Sequence, residues 1–171
     1  MVVPVVAYLM SSQTAISGCG NLNRSDDGVG SGVIQRLQSK SLPAGVSLFD
    51  AGTDGMAVMY KAKGMERLII IDARAPEGEA GAVFEVPGEV LSSLPPHSLN
   101  LHDFRWDHAL YAGQKIYADD FPTNVKVFLI EAESIDLGTG LSEKVEKAAD
   151  IVAAKIEELV RTCLEDEAQQ V

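Results

Sequence analysis

The stretch GCGNLNRSDDGVG, residues 18–30, decides the fold class of this chain. It follows a short apolar segment, residues 15–17, that is typical of a buried strand. It leads into a helical pattern over residues 27–40 that places Val29, Val33 and Leu37 on one face. Glycines in the turn between such a strand and helix let the backbone approach a ligand closely. The sequence therefore predicts a strand, a ligand-facing turn and a helix.

Two carboxylates, Asp26 and Asp27, stand where this helix begins. An acid in the first helical turn interacts favourably with the helix dipole, and Ser or Asp commonly caps free N–H groups there. We expect Ser25 or Asp26 to be the N-cap. Asp27 lies one residue further on, points in another direction and has open space beside Gly28, so it is the candidate ligand.

The rest of the chain continues this alternation of strands and helices. The strongest strand is predicted at 67–72, because four successive aliphatic residues, Leu68–Ile71, indicate a strand buried on both faces. Further strands are predicted at 46–49, 82–86 and 125–130, and helices near 56–60, 98–113 and 141–163. The pattern predicts a single-domain, three-layer α/β/α sandwich around a twisted, mostly parallel sheet of about five strands.

The length, charge and cysteine content of the chain limit its possible domain organisation and partners. Of 171 residues, we assign 14–163 to the domain, 1–13 to an N-terminal extension and 164–171 to an acidic C-terminal tail. The net charge of −11 argues against a nucleic-acid or anionic-membrane partner, since a polyanion would be repelled. With two cysteines there is no disulfide framework, which favours a reducing cytoplasm. No segment is predicted to span a membrane, and we expect a monomer.

Three acidic residues are predicted to meet at one edge of the sheet. Asp50 and Asp72 each follow an apolar strand segment, and Asp27 follows the first strand by one turn. Ligands of open α/β sheets bind outside the carboxyl ends of the strands. His97, after two prolines, comes from a fourth distant segment. Carboxylates and an imidazole can together bind a divalent metal, so Asp27, Asp72 and His97 are the candidate site, with Asp50 as a secondary candidate.

Other chemistries fit the sequence less well. The third glycine of a dinucleotide fingerprint is replaced by Asn23, and no lysine completes a phosphate-binding loop. No nucleophile elbow for a serine hydrolase is present. His102 and His108 would point about 120° apart on a helix over 98–113, which excludes a shared ligand role. We expect Trp106 to face the core.

Four motifs in order resemble the hydrogenase maturation proteases, over residues 14 to about 160. They are GCGN leading to DDGVG at residues 18–30, DAGTDG at 50–55, IIDA at 70–73 and PHSL at 96–99. The family usually has a second glycine where Ala51 stands. The segment HDFRWDH, residues 102–108, resembles the branch that serves uptake hydrogenases.

The resemblance implies an endopeptidase that removes a short C-terminal peptide from the nickel-loaded large-subunit precursor of a nickel-iron hydrogenase. It implies that Asp27, Asp72 and His97 contact nickel carried by the substrate, and that the enzyme holds no tightly bound metal or other cofactor. Asp50 matches a position in the family's second motif. Two other hypotheses stay open at this point: a chaperone that binds the nickel site without proteolysis, and a nucleotide-binding α/β module.

Overall fold

A computed structural model describes residues 13–87 and 105–168 of the chain. In chain order these form β1 (Thr14–Cys19), a 3-10 turn (Ser25–Gly28), α1 (Val29–Gln38), β2 (Val46–Gly52), α2 (Gly55–Ala62), β3 (Arg67–Arg74), β4 (Val83–Pro87), α3 (Trp106–Tyr117), a second 3-10 turn (Ala118–Asp120), β5 (Asn124–Glu131) and α4 (Glu143–Ala168). No helix within these residues is both long and apolar enough to cross a membrane.

The strands form one sheet in the order β2-β1-β3-β5-β4. The first four are parallel neighbours, and β4 runs antiparallel to β5 at the edge. The predicted five-stranded, mostly parallel sheet is therefore confirmed. Leu68, Ile70 and Ile71 in β3 are completely inaccessible to solvent, as expected for a strand with neighbours on both sides and a helical layer over each face.

Two separate hydrophobic clusters, one on each face of the sheet, hold the three layers together. On one face of the sheet, Ile69 and Ile71 pack with α1 and with the buried stripe of α4 that includes Val152 and Ile156. On the other face, Leu68 and Ile70 pack with α2 and α3. The alternation of buried side chains along β3 is the period-two pattern of a strand, and each helix adds its apolar stripe to one cluster.

Both strands that carry candidate acids continue past the predicted ends. β3 does not end at Asp72 but runs on to Arg74, because β5 pairs with it as far as Arg74 and Glu131. β2 likewise continues beyond Asp50 to Gly52. Asp72 nevertheless lies at the open edge of the sheet, because the pairing of β1 with β3 ends one residue earlier, at Gly18 and Ile71.

Three helix boundaries also differ from the prediction. α1 is preceded by the 3-10 turn and has Gly28 as its N-cap without a side-chain cap, so the assignment of that role to Ser25 or Asp26 was wrong. α3 begins at Trp106 after Arg105 in extended conformation. α4 continues to Ala168, so residues 164–168 of the predicted tail are helical.

Candidate active site at the open edge of the sheet

Asp27 and Asp72 line the same cleft, at the carboxyl ends of β1 and β3. The cleft has a volume of about 360 Å³ and is also lined by Cys19, Gly20 and Trp106. Asp27 comes from the 3-10 turn and Asp72 from β3, so two segments distant in sequence bring the carboxylates together. This confirms that these acids meet at this edge. His97 lies outside the described residues.

The closeness of the turn to the sheet depends on glycine. Gly20 has a φ of +123°, and a Cβ there would lie 1.7 Å from the carbonyl oxygen of Asp27 and 3.6 Å from Oδ1 of Asp72. A Cβ on Gly30 would meet the backbone of Cys19 and Ile71 in the same way, 2.2 and 2.7 Å from their carbonyl oxygens. Any larger residue would push the Asp27 turn away from β3.

Asp72 is almost completely buried and is fixed by three donors. The Ala73 N–H donates to Oδ1 at 2.8 Å, while Trp106 Nε1 and Arg105 Nη2 donate to Oδ2 at 2.7 and 3.1 Å. Burial raises the pKa of Asp72, and the negative charge of Asp27 raises it further, whereas Arg105, Trp106 and Ala73 lower it. The net result is a carboxyl group whose pKa lies above that of a free aspartate.

Asp27 is held more lightly than Asp72. It is half-buried, and the Asn21 N–H donates to its Oδ2 at 2.9 Å. Its effect on the pKa of Asp72 shows that the two carboxylates interact electrostatically across the cleft. Two acids that repel each other in a partly desolvated site are stabilised by a shared cation. The geometry therefore suits a divalent metal brought to the cleft.

A complete metal site is absent from the described part of the chain. Within residues 13–87 and 105–168, no three His, Cys, Asp or Glu side chains are placed so that they could hold one ion. Two protein carboxylates alone would leave most positions around a metal to other ligands.

Asp50 lies beside the cleft and not in it. Its carboxylate is exposed and accepts hydrogen bonds from Ser31 Oγ at 2.7 Å and from the Gly52 N–H at 3.2 Å. It borders a neighbouring depression that shares Gly20, Asn21, Gly52 and Thr53 with the cleft. Asp50 stays a secondary candidate, next to the two acids of the cleft.

Asp26 has a structural role that was not predicted from the sequence. Its side chain is buried and points away from Asp27, into the segment between β5 and α4. Oδ1 accepts from the Ser142 N–H at 2.6 Å, and Oδ2 accepts from the Glu133 and Ser134 N–H groups and from Ser142 Oγ. An Asn side chain would turn its NH₂ group toward one of these N–H donors. Asp26→Asn should therefore weaken the anchoring of this segment.

The segment that Asp26 anchors forms one wall of the cleft. Ile135 lines the cleft, and its carbonyl accepts from Arg24 Nε at 3.0 Å. The Ser25 N–H donates to the Gly138 carbonyl, and the Gly138 N–H donates to the Asn23 carbonyl. These bonds join two chain segments more than 100 residues apart and fix the wall relative to Asp27.

Arg105 and Trp106 are site residues that were not predicted. Trp106 faces the core as expected, with 7% of its surface exposed, but its indole N–H reaches Asp72. A buried indole usually requires an acceptor, and this was the available signal in the sequence. His108 pairs with Asp107 at 3.0 Å on α3 and does not line the cleft.

Cys19 is present in the cleft but is not set up as a nucleophile. It is buried, and burial raises the pKa of its thiol, with the charge of Asp72 adding to the effect. A thiol with a raised pKa stays protonated near neutral pH, whereas the thiolate is the nucleophile. The structure gives no support to cysteine-based chemistry in this cleft.

Cys19 is buried and Cys163 is half-exposed, and this difference in exposure can be measured. We expect Ellman's reagent at pH 8 to modify one thiol per native chain quickly, at the half-exposed Cys163, and both thiols in urea. Cys19 should react at least about a hundredfold more slowly in the native protein. Rapid reaction of one thiol in a Cys163→Ser variant would contradict this assignment.

Comparison with known proteins identifies the family. A sequence model described as hydrogenase maturation protease matches residues 32–159, about three quarters of the chain. The chain belongs to the hydrogenase maturation protease family. Members of this family are named as proteases or endopeptidases, so the acidic cleft is that of a peptidase-family enzyme.

Individual relatives agree with this assignment to the hydrogenase maturation proteases. The Hydrogenase 2 maturation protease of Escherichia coli K12 is 28% identical over 138 residues, covering 77% of this chain and 80% of the relative. The solved structure of the [NiFe] hydrogenase maturation protease HybD from Thermococcus kodakarensis matches at 25% identity with a TM-score of 0.69, covering 86% of this chain and 99% of that one. The endopeptidase HybD of E. coli, at 22% identity, has the same fold, with a TM-score of 0.74 over 88% of this chain and 93% of that one.

Proposed function

We propose that this hydrogenase maturation protease removes a short C-terminal peptide from the nickel-loaded large-subunit precursor of a nickel-iron hydrogenase, acting as a cytoplasmic monomer. The observation that carries the proposal is the pair of carboxylates, Asp27 and Asp72, on one cleft at the open edge of the sheet. Family membership supplies the reaction class. The carboxylates supply a means of recognising a metal that the precursor carries.

The nickel is part of the substrate in this proposal. Asp27 and Asp72 complete the coordination of an ion already held by the precursor, which positions the scissile peptide bond in the cleft. The ion could then polarise the carbonyl or the attacking water, or an aspartate could accept the proton of that water. The raised pKa of Asp72 makes it a stronger base than a free aspartate, which suits the second route.

An imidazole completes the proposed site. His97 is our assignment from the resemblance. His102, which like His97 lies outside the described residues, serves as the comparison in the test.

The test follows the mass of the precursor. We expect incubation with the nickel-loaded precursor to shorten it by a short C-terminal peptide, and incubation with the nickel-free precursor to leave its mass unchanged. His97→Ala should lose cleavage of the nickel-loaded precursor, whereas His102→Ala should keep most of it. Wild-type cleavage by the His97→Ala variant would overturn our assignment of that residue.

The same measurement separates the alternative functions. Stable binding of the nickel-loaded precursor without any change in mass would favour the chaperone that binds the nickel site without proteolysis. Equal cleavage of nickel-loaded and nickel-free precursor would overturn the role of nickel in recognition, while leaving the endopeptidase activity in place.

A further inference from the structure

Asp72 already has a positive charge beside it in the cleft. Its Oδ2 atom accepts from two consecutive residues, Arg105 and Trp106, at 3.1 and 2.7 Å. A carboxylate oxygen offers two lone pairs, so these two donors occupy both of them. The other oxygen, Oδ1, accepts from the Ala73 N–H. A metal ion that binds Asp72 through Oδ2 must therefore displace one of the two donors.

The two donors differ in how easily they can leave. The indole of Trp106 is buried in the cluster beneath the cleft, so its removal would disrupt the packing of α3. The Arg105 side chain is 62% exposed, and its described contact in the cleft is the ion pair with Asp72. Arg105 is the exposed member of this pair and can rotate into solvent, and a metal ion that takes its place supplies the positive charge that the buried Asp72 requires. Trp106 would remain as the donor that orients the carboxylate.

We propose that Arg105 is a specificity-determining residue: its guanidinium occupies the cation position on Asp72 and selects a metal presented by a bound precursor over a free divalent ion. The part that concerns the precursor rests on the proposed function. The part that concerns free ions does not, because it is a property of the isolated enzyme.

A free ion and a metal held by the precursor differ in the contacts that accompany their binding in the cleft, and this difference produces the selection. A free ion must displace the guanidinium using its bonds to the two carboxylates alone. A metal seated in the precursor is accompanied by all the contacts of the protein that holds it, and these offset the displacement. A unit charge a few ångströms from a divalent ion in water weakens binding by roughly tenfold through Coulomb repulsion alone.

The experiment titrates Cd²⁺ and Zn²⁺ into the full chain without precursor and measures affinity by calorimetry. We expect Arg105→Gln to bind Cd²⁺ at least about tenfold more tightly than the wild type. Arg161→Gln is the matched control, because it makes the same change in net charge on α4, where Arg161 pairs with Glu157. Arg105→Lys keeps the positive charge and should stay within about threefold of the wild type.

The outcomes decide the proposal directly. If Arg105→Gln binds Cd²⁺ no more tightly than Arg161→Gln, or shows no measurable binding, the Arg105 guanidinium does not compete with free ions and the proposal is wrong. If Arg105→Lys binds Cd²⁺ as tightly as Arg105→Gln, charge is not the cause and the proposal also fails. A gain that disappears in the double variant Arg105→Gln, Asp72→Asn supports it. If Arg105→Gln gains affinity for Cd²⁺ but the wild-type enzyme does not cleave nickel-loaded precursor, the proposed function is refuted. The competition between Arg105 and free ions is then still supported.

Discussion

Asp27→Asn and Asp72→Asn should each lower the rate of precursor cleavage by about a thousandfold while the protein stays folded. Asn keeps the shape of the side chain but removes the negative charge that a cation requires. Loss of about 4 kcal/mol of transition-state stabilisation, a typical contribution of a catalytic metal, corresponds to a thousandfold in rate. The measurement is the initial rate of mass loss from the nickel-loaded precursor, with circular dichroism to confirm the fold.

A surface carboxylate provides the control for this result. Asp150 is 69% exposed and pairs with Arg36 on the helical layer away from the cleft, so Asp150→Asn should cleave at the wild-type rate. If either cleft variant retains more than about a tenth of wild-type activity, that residue does not act as a required ligand or base.

Asp26→Ala should strongly destabilise the protein. The buried carboxylate accepts four hydrogen bonds, and its removal leaves three backbone N–H groups without their acceptor. Each buried unsatisfied donor costs about 1–3 kcal/mol, so we expect a loss of roughly 4 kcal/mol in the free energy of unfolding, measured by urea denaturation.

Ser142→Ala is the graded comparison for Asp26. It removes one of the four hydrogen bonds, the one from Ser142 Oγ, and keeps the backbone donors and the carboxylate. We expect a loss of about 1 kcal/mol. If Asp26→Ala were no more destabilising than Ser142→Ala, the carboxylate would not be holding the segment before α4 in place.

The layered fold could be predicted because its signals are local. Four aliphatic residues in β3 and the apolar stripe of α4 follow from the periodicity of burial in strands and helices, and the glycine turn marks where a helix approaches the sheet. The convergence of Asp27 and Asp72 also follows from a general rule, that parallel strands gather their carboxyl ends at one edge.

The details that escaped prediction depend on partners far away in sequence. Asp26 looks like a helix cap from its neighbours, but its hydrogen bonds go to residues 133, 134 and 142. β3 runs past Asp72 because β5 continues beside it. The end of this strand is set by strand pairing and not by the local sequence. Arg105 was not connected to Asp72 because nothing in the segment that contains it shows where α3 will dock.

The wall shared by residues 23–26 and 133–142 has a consequence for how the enzyme is made. These contacts join residues more than 100 positions apart, so they can form only after β5 and the segment that follows it have been added to the fold. A growing chain on the ribosome, or a fragment that ends at β5, would carry both cleft aspartates without the wall that faces them. Peptidase activity should thus appear only with the completed protein, which protects other polypeptides from a half-folded protease.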